Sequence, residues 1–374
     1  MPDNIPFELR ELIINKLPVE PLIRFRTVCK AWKSLIDSSD FIRNHITQQN
    51  QQHLLVRYHD AVHLELKYVS IADNDDATFP HHKVPVTIPQ SVVNMVHYEI
   101  TVDSSHGLLC LFGYFDEKAV IWNPSIRKAV DVVLPNMADF EIDVYRTVLG
   151  FGVCRETRDP KIVKLRKDME GVIPWQVEVF TLSTRVWRSA YSSNVPSKYF
   201  WFGGEQVVVG GVVYWLAINR VDAVGGCGDL IVSFDLTSEE FGEVKLPHRL
   251  DYNNCRLCMF KPREQLVAIE RCPEGYKPGV YHVWVMKDGV PKLFEKLFTI
   301  SGHTLNGSLV SSVQGFRKTG EALIVQANPV QAISGFNRTL AAYEPYSKAI
   351  SDLGISGSYI SVSVCSYTET LLLL

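Results

Sequence analysis

The sequence predicts an α+β multidomain chain: a small three-helix module over residues 1–47, then an all-β, propeller-like domain of about six blades over residues 54–374. Three observations carry this expectation. Apolar residues recur with helical spacing from Ile5 to Ile46, and beyond His53 they alternate with polar ones as strands do. A polar run, Gln48 to Gln52, lies between the two regimes and defines a linker at 48–53. One strand pattern then returns at a nearly fixed period to the end of the chain.

In the first helix Pro6 sits where a missing N–H is tolerated, and Leu9, Leu12, Ile13 and Leu17 share a face. Leu17-Pro18 closes it. A second helix begins near Pro21 with Leu22, Phe25 and Cys29 at helical intervals, and a third groups Val28, Trp32, Leu35 and Ile36. Phe41, Ile42, His45 and Ile46 suggest a short further turn. So small a unit has too much surface for its volume to bury all these side chains internally. Either a partner helix bundle covers them or the module caps the larger domain.

The repeat is read from VIWNPSIRKAV, VEVFTLSTRVW, IVSFDLTSEEF, YHVWVMKDGVPKLF and LAAYEPYSKAI. Taking Trp122, Phe180, Phe234, Trp284 and Tyr343 as equivalent marks, subtraction gives intervals of 58, 54, 50 and 59 residues. Each mark follows a further pair of hydrophobic strands, so one period holds about four strands, the content of a propeller blade. One interval back from Trp122 lands near Lys67, in the alternating stretch HLELKYVSI, which supplies a sixth unit. The last strand, expected at Tyr359 to Val364, is placed to close the ring against residues near His53 to Tyr58. A β-sandwich also uses many short strands but gives no reason for the period.

Composition excludes several classes. Hydrophobic content of 46% and charged content of 21% are those of a globular chain, and a net charge of -3 with scattered Lys and Arg argues against nucleic acid or an anionic membrane as ligand. The N-terminus lacks the basic start and apolar run of a secretory signal, so a cytoplasmic or nuclear location is expected. The longest apolar stretch, Val207 to Ile218, is short of the roughly 20 residues that span a bilayer. The terminal Leu371 to Leu374 run reads as a packed or frayed tail. Eight dispersed cysteines fit a reducing compartment.

The string IPFELRELIINKLPVEPLIRFRTVCKAWKSLI resembles the F-box throughout, with Leu17-Pro18, Leu22, Arg24, Val28-Cys29-Lys30 and Trp32 in the family's positions. Ile5 stands where that family usually has Leu. The resemblance implies docking to a Skp-type adaptor, and through it to a cullin and a RING subunit. It implies contacts from Ile5, Pro6, Leu9, Leu17, Pro18, Leu22, Val28, Cys29 and Trp32. Trp32 is the leading anchor, since a large desolvated aromatic contributes about 2 kcal/mol or more to an interface; it also suits the module's own core. The segments SSHGLLCLF, VIWNPSIRKAV, LGFGV from Leu149, and VVYWL followed by IVSFDLTSEEF resemble the F-box-associated domain of plant F-box proteins. That resemblance implies recognition of a protein substrate, for a non-catalytic ligase subunit. A propeller enzyme, a small-ligand binder, and an F-box scaffold outside a complete ligase remain as alternatives.

No catalytic constellation, cofactor or metal is expected. Cys255 and Cys258 form a single C-x-x-C pair with only Cys272 and His282 to complete it, and read as buried strand thiols. His81 and His82, with Asp73, Asp75 and Asp76 upstream, read as a solvated loop. Gly225, Gly226 and Gly228 before Asp229 lack the Lys and Ser or Thr of a phosphate loop and read as a turn. Tyr199, Phe200, Trp201 and Phe202 form either a recognition hot spot or an alternation between two packed faces. Loops at Asp222 to Gly228, Glu274 to Gly279 and Val330 to Asn337 are further candidates for substrate contact.

Overall fold

The structure, a computed structural model, describes residues 7–48, 51–60, 65–75, 79–94, 99–113, 118–135, 147–166, 175–190, 194–197, 199–219, 228–246, 256–274, 277–287, 289, 292–303, 307–327, 338–357 and 362–373. The chain divides into two compact units. The first comprises Met1–Leu55, Tyr68–Leu134 and Ser366–Leu374; the second comprises Val56–Lys67 and Pro135–Cys365.

The first unit opens with four helices, α1 (Phe7–Asn15), α2 (Val19–Phe25), α3 (Lys30–Ile36) and α4 (Ser39–Gln48). Pro18 precedes α2 in extended conformation, and Cys29 caps α3 by accepting the Trp32 N–H at 3.5 Å. The short turn expected near Phe41 is instead a helix of 10 residues. Ser38 starts it, its hydroxyl accepting the Phe41 N–H at 3.3 Å. Phe41 and His45, four residues apart, then face inward together. Ile14, Val19, Leu22, Ile36 and Phe41 form the module's core, with Leu371 from the far end of the chain among them.

His45 is fully buried and donates from Nε2 to the Leu17 carbonyl at 2.9 Å. Burial holds its pKa below the ordinary 6.5, against smaller upward effects of that bond and of Glu369. His53 is held down by burial in the same way. The unfolded chain therefore binds more protons below pH 6.5, and these groups contribute stability that is present above that pH and lost as pH falls through it. Melting curves between pH 7.5 and 5.5 are expected to show a falling midpoint, with a shallower slope in His45→Gln. An unchanged slope in a His45→Gln, His53→Gln double variant would overturn the assignment.

Six antiparallel four-stranded sheets follow, the blades of a six-bladed β-propeller. The first holds β1 (Gln52–His59), β2 (Leu66–Ala72) and β3 (Lys83–Pro85). A short helix, α5 (Gln90–Val93), leads to the second, β4 (Glu99–Ser105), β5 (Leu108–Gly113), β6 (Lys118–Asn123) and β7 (Lys128–Val133). The third is β8 (Thr147–Val153), β9 (Pro160–Arg166), β10 (Gln176–Thr181) and β11 (Val186–Ser189). The fourth is β12 (Phe200–Val209), β13 (Val212–Asn219), β14 (Gly228–Asp235) and β15 (Phe241–Lys245). The fifth is β16 (Arg256–Phe260), β17 (Val267–Glu274), β18 (Lys277–Lys287) and β19 (Leu293–Ile300). The sixth is β20 (Leu309–Phe316), β21 (Ala322–Ala327), β22 (Arg338–Tyr343) and β23 (Ile350–Gly357). The last strand, β24 (Ser363–Thr368), returns to pair with β1 and completes the first sheet. Closure thus occurs where the sequence places it, by a strand lying four residues further along.

Middle strands such as β5 and β6 are buried on both faces, which is why LLCLFG and AVIW read as unbroken apolar runs. The fourth strands, such as β7 and β11, are largely exposed. Every mark of the repeat falls on the third strand of its sheet, and the sixth unit near Lys67 falls on β2. Trp122 is completely buried and meets Tyr68 edge-on, with ring centroids 5.4 Å apart. One mark is displaced. Trp284 lies on the opposite face from the buried Tyr281, Val283 and Val285, and with Val285 as the equivalent the last two intervals become 51 and 58 residues.

The polar turn of the repeat is a capped loop between third and fourth strands. Asn123 Oδ1 accepts the Ser125 N–H at 2.9 Å, and Asp235 Oδ1 accepts the Thr237 N–H at 2.7 Å. Four of these turns end on a left-handed residue, with φ of 57° at Arg127, 55° at Arg185, 59° at Glu239 and 59° at Lys348.

The C-terminal residues bind the first unit together. Glu369 accepts the Val19 N–H at 3.3 Å, at the start of α2. Asn123 Nδ2 donates to the carbonyls of Thr370 at 2.9 Å and Leu372 at 2.7 Å. Tyr367 reaches the Ser70 hydroxyl at 2.8 Å, and the Leu371 side chain is fully buried in the helical module's core. The tail is therefore packed. Gly107, with φ of +79°, leaves the room it needs, since a Cβ there would lie 2.1 Å from the Thr368 carbonyl oxygen.

Candidate functional site

Two apolar surfaces stand out on the helical module. On α1, Leu9, Leu12 and Ile13 lie at i, i+3 and i+4 and are all exposed, Ile13 to 56%. Beyond α2, Val28 is 67% exposed in the turn before α3, and Phe25 packs on Trp32 with ring centroids 5.4 Å apart. Arg26 and Asp37 brace this second surface through paired charged hydrogen bonds, one of 2.9 Å from Nη2 to Oδ2. The bond to the Arg26 guanidinium holds the Asp37 carboxyl below the usual carboxylate range.

Of the residues expected at the adaptor contact, Leu9, Pro18, Val28 and Cys29 are exposed and Trp32 is half-buried. Leu17 is half-buried against the core, and Leu22 is completely buried, filling the module with Ile14, Ile36 and Phe41. Ile5 and Pro6 lie outside the described residues. Leu12, Ile13 and Phe25 belong to the exposed surface but were not among the expected contacts. Their spacing alone does not separate an inward stripe from an outward one.

The aromatic run divides by strand alternation. Phe200 and Phe202 are buried, the latter edge-on to Trp175 at 5.1 Å between centroids. Tyr199 is 47% exposed and Trp201 half-buried on the other face, and Trp201 pairs across the strands with the exposed Ile218. This face belongs to the first strand of its sheet, and β12 neighbours both β8 and β16, the first strands of the adjoining sheets. Residues 222–227, 275–276 and 330–337 of the candidate loops lie outside the described residues.

His81 and His82 are exposed turn residues, while Asp73 is buried; Asp76, Gly225, Gly226 and Cys255 lie outside the described residues. Cys258 is not in a disulfide and sits opposite Ile269, on the core face of its sheet. None of the described helices is long and apolar enough to cross a membrane.

Residues 2–44 match the F-box domain, and residues 58–372 match the F-box associated β-propeller domain. The chain belongs to the family of F-box proteins that carry this associated propeller. An F-box domain implies binding to a Skp-type adaptor in general. Relatives come from Arabidopsis thaliana. Putative F-box only protein 11 is 36% identical over 296 residues, covering 77% of this chain and 70% of that protein. Putative F-box protein At3g16590 is 26% identical over 301 residues, covering 78% and 75%. F-box protein CPR1 is 27% identical over 323 residues, covering 79% and 73%.

Proposed function

We propose that this protein is a substrate-receptor subunit of a Skp-cullin-F-box ubiquitin ligase, working in the cytoplasm or nucleus. It has no chemistry of its own in this reading. The helical module docks to the Skp-type adaptor, which links it to the cullin and RING subunits, and the propeller holds a target protein. Its contribution to rate is proximity, since tethering raises the effective concentration of a target lysine near the activated ubiquitin.

The observation that carries the reading is a run of exposed apolar side chains on an F-box, in a chain whose remainder is a closed propeller. The adaptor contacts we assign are Leu9, Leu12, Ile13, Pro18, Phe25, Val28, Cys29 and the exposed edge of Trp32, with Ile5 and Pro6 carried over from the family pattern. Leu17 and Leu22 act by holding the helices that present them. For the target we assign the face with Tyr199, Trp201 and Ile218, while Phe200 and Phe202 support it from within the sheet.

Ile13→Asp combined with Val28→Asp is expected to weaken adaptor capture by a hundredfold or more, since two buried apolar contacts at about 1.5–3 kcal/mol each are lost. Both positions are exposed, so the melting temperature is expected to stay within a degree or two. Undiminished capture by this folded variant would defeat the adaptor assignment, and reconstituted ubiquitin transfer separates a receptor from a scaffold.

A further inference from the structure

Strands β17 and β18 carry their core side chains on one face: Val267 and Ile269 on the first, Tyr281, Val283 and Val285 on the second. The opposite face carries Glu270, Cys272 and His282. Glu270 lies directly across from His282 in the ladder, and Cys272 follows two residues on. One ligand atom from each, a carboxylate oxygen, a thiol sulfur and an imidazole nitrogen, lies within 4.8 Å of the other two.

From this geometry we infer that Glu270, Cys272 and His282 form a binding site for a divalent transition metal of the zinc class. The donor set is one oxygen, one sulfur and one nitrogen, the mixture that zinc accepts while a fourth position stays open for water. Bonds of about 2.0–2.3 Å let tetrahedral donors stand roughly 3.3–3.8 Å apart, so side-chain rotations that draw them in by about 1 Å complete the site.

Two details support it. Glu270 is buried, and among the described residues it accepts from a neutral donor, the Trp284 indole N–H at 3.4 Å. A dication would neutralise a carboxylate that is costly to bury. His282 Nδ1 lies 3.1 Å from the Thr299 hydroxyl, a contact that fixes the ring and leaves Nε2 as the nitrogen for a metal.

Sequence reasoning singles out Cys272 and His282 but only as additions to the C-x-x-C pair, whose Cys258 faces the core beside Ile269; it misses Glu270, two residues before Cys272 on the same strand.

The test is titration of the full-length protein with Co2+ and then Zn2+. One equivalent of Co2+ is expected to produce a thiolate-to-cobalt charge-transfer band that Zn2+ abolishes, and Zn2+ is expected to raise the melting temperature. Cys272→Ser and His282→Ala should each weaken binding by about tenfold or more, while Cys258→Ser leaves it unchanged. Absence of the band and of the melting shift in the unmodified protein overturns the inference, even if a variant fails to fold. So does a band that survives both Cys272→Ser and His282→Ala.

Discussion

Asn123→Asp is expected to destabilise the first unit by about 3–5 kcal/mol, the usual penalty for an uncompensated buried charge. At this turn the side chain has two tasks. Its oxygen accepts from the Ser125 N–H, as Asp235 does for Thr237 in a sister turn, but its amide also donates to the Thr370 and Leu372 carbonyls. Aspartate performs the first task and reverses the second, placing a carboxylate against two carbonyl oxygens at a fully buried position.

The variant carries a pH signature. The buried carboxyl is expected to titrate above its unfolded value of about 3.9, so the folded state binds more protons in the interval between the two values. Stability is then lost as pH rises through that interval and regained as it falls, opposite in sign to the effect of His45. Denaturant midpoints at pH 7 and 5 check this. A midpoint at pH 7 equal to that of the unmodified protein would show that the tail does not depend on this amide.

The second large effect is at Gly150, where alanine is expected to cost about 3 kcal/mol, the upper range for forcing atoms into a packed core. A Cβ at this position would stand 2.3 Å from Cζ2 of Trp215 and 3.0 Å from both Gln206 Oε1 and Val213 Cγ1. The indole cannot swing away, because its Nε1 donates to the Leu149 carbonyl at 3.0 Å. Gln206 clamps the next residue from both sides, accepting the Phe151 N–H at 2.8 Å and donating to the Phe151 carbonyl at 3.0 Å. Trp215→Ala alone should also cost about 3–5 kcal/mol, by leaving a cavity. The double variant should be far less destabilised than the sum, since the added methyl then occupies space the ring has vacated. Additive losses in a urea-denaturation cycle would exclude the clash.

These two sites show how much of the fold was legible. The LGFGV string and the polar turn after β6 were both visible as repeated patterns, and they located strands and sheets well. Their reasons were not visible: Gly150 is small because of an indole 65 residues away, and Asn123 is an amide because of carbonyls some 250 residues away. The same limit explains Trp284, whose identity fits the repeat while its side chain faces the other way. Strand alternation has a period of two, so an error of one residue in register exchanges the faces.

Local periodicity by itself determined the class: helical spacing gave the module, and a recurrence of about 55 residues gave the blades and the closing strand. The order of residues in the first 36 positions gave the family. Tertiary structure alone decided which apolar residues of the module face outward, Leu12, Ile13 and Val28, and which fill it, Leu22 and Ile36. It also decided that a buried glutamate meets Cys272 and His282. The reason is common to these cases: spacing along a chain fixes which side chains share a face, while what covers that face depends on segments distant in sequence.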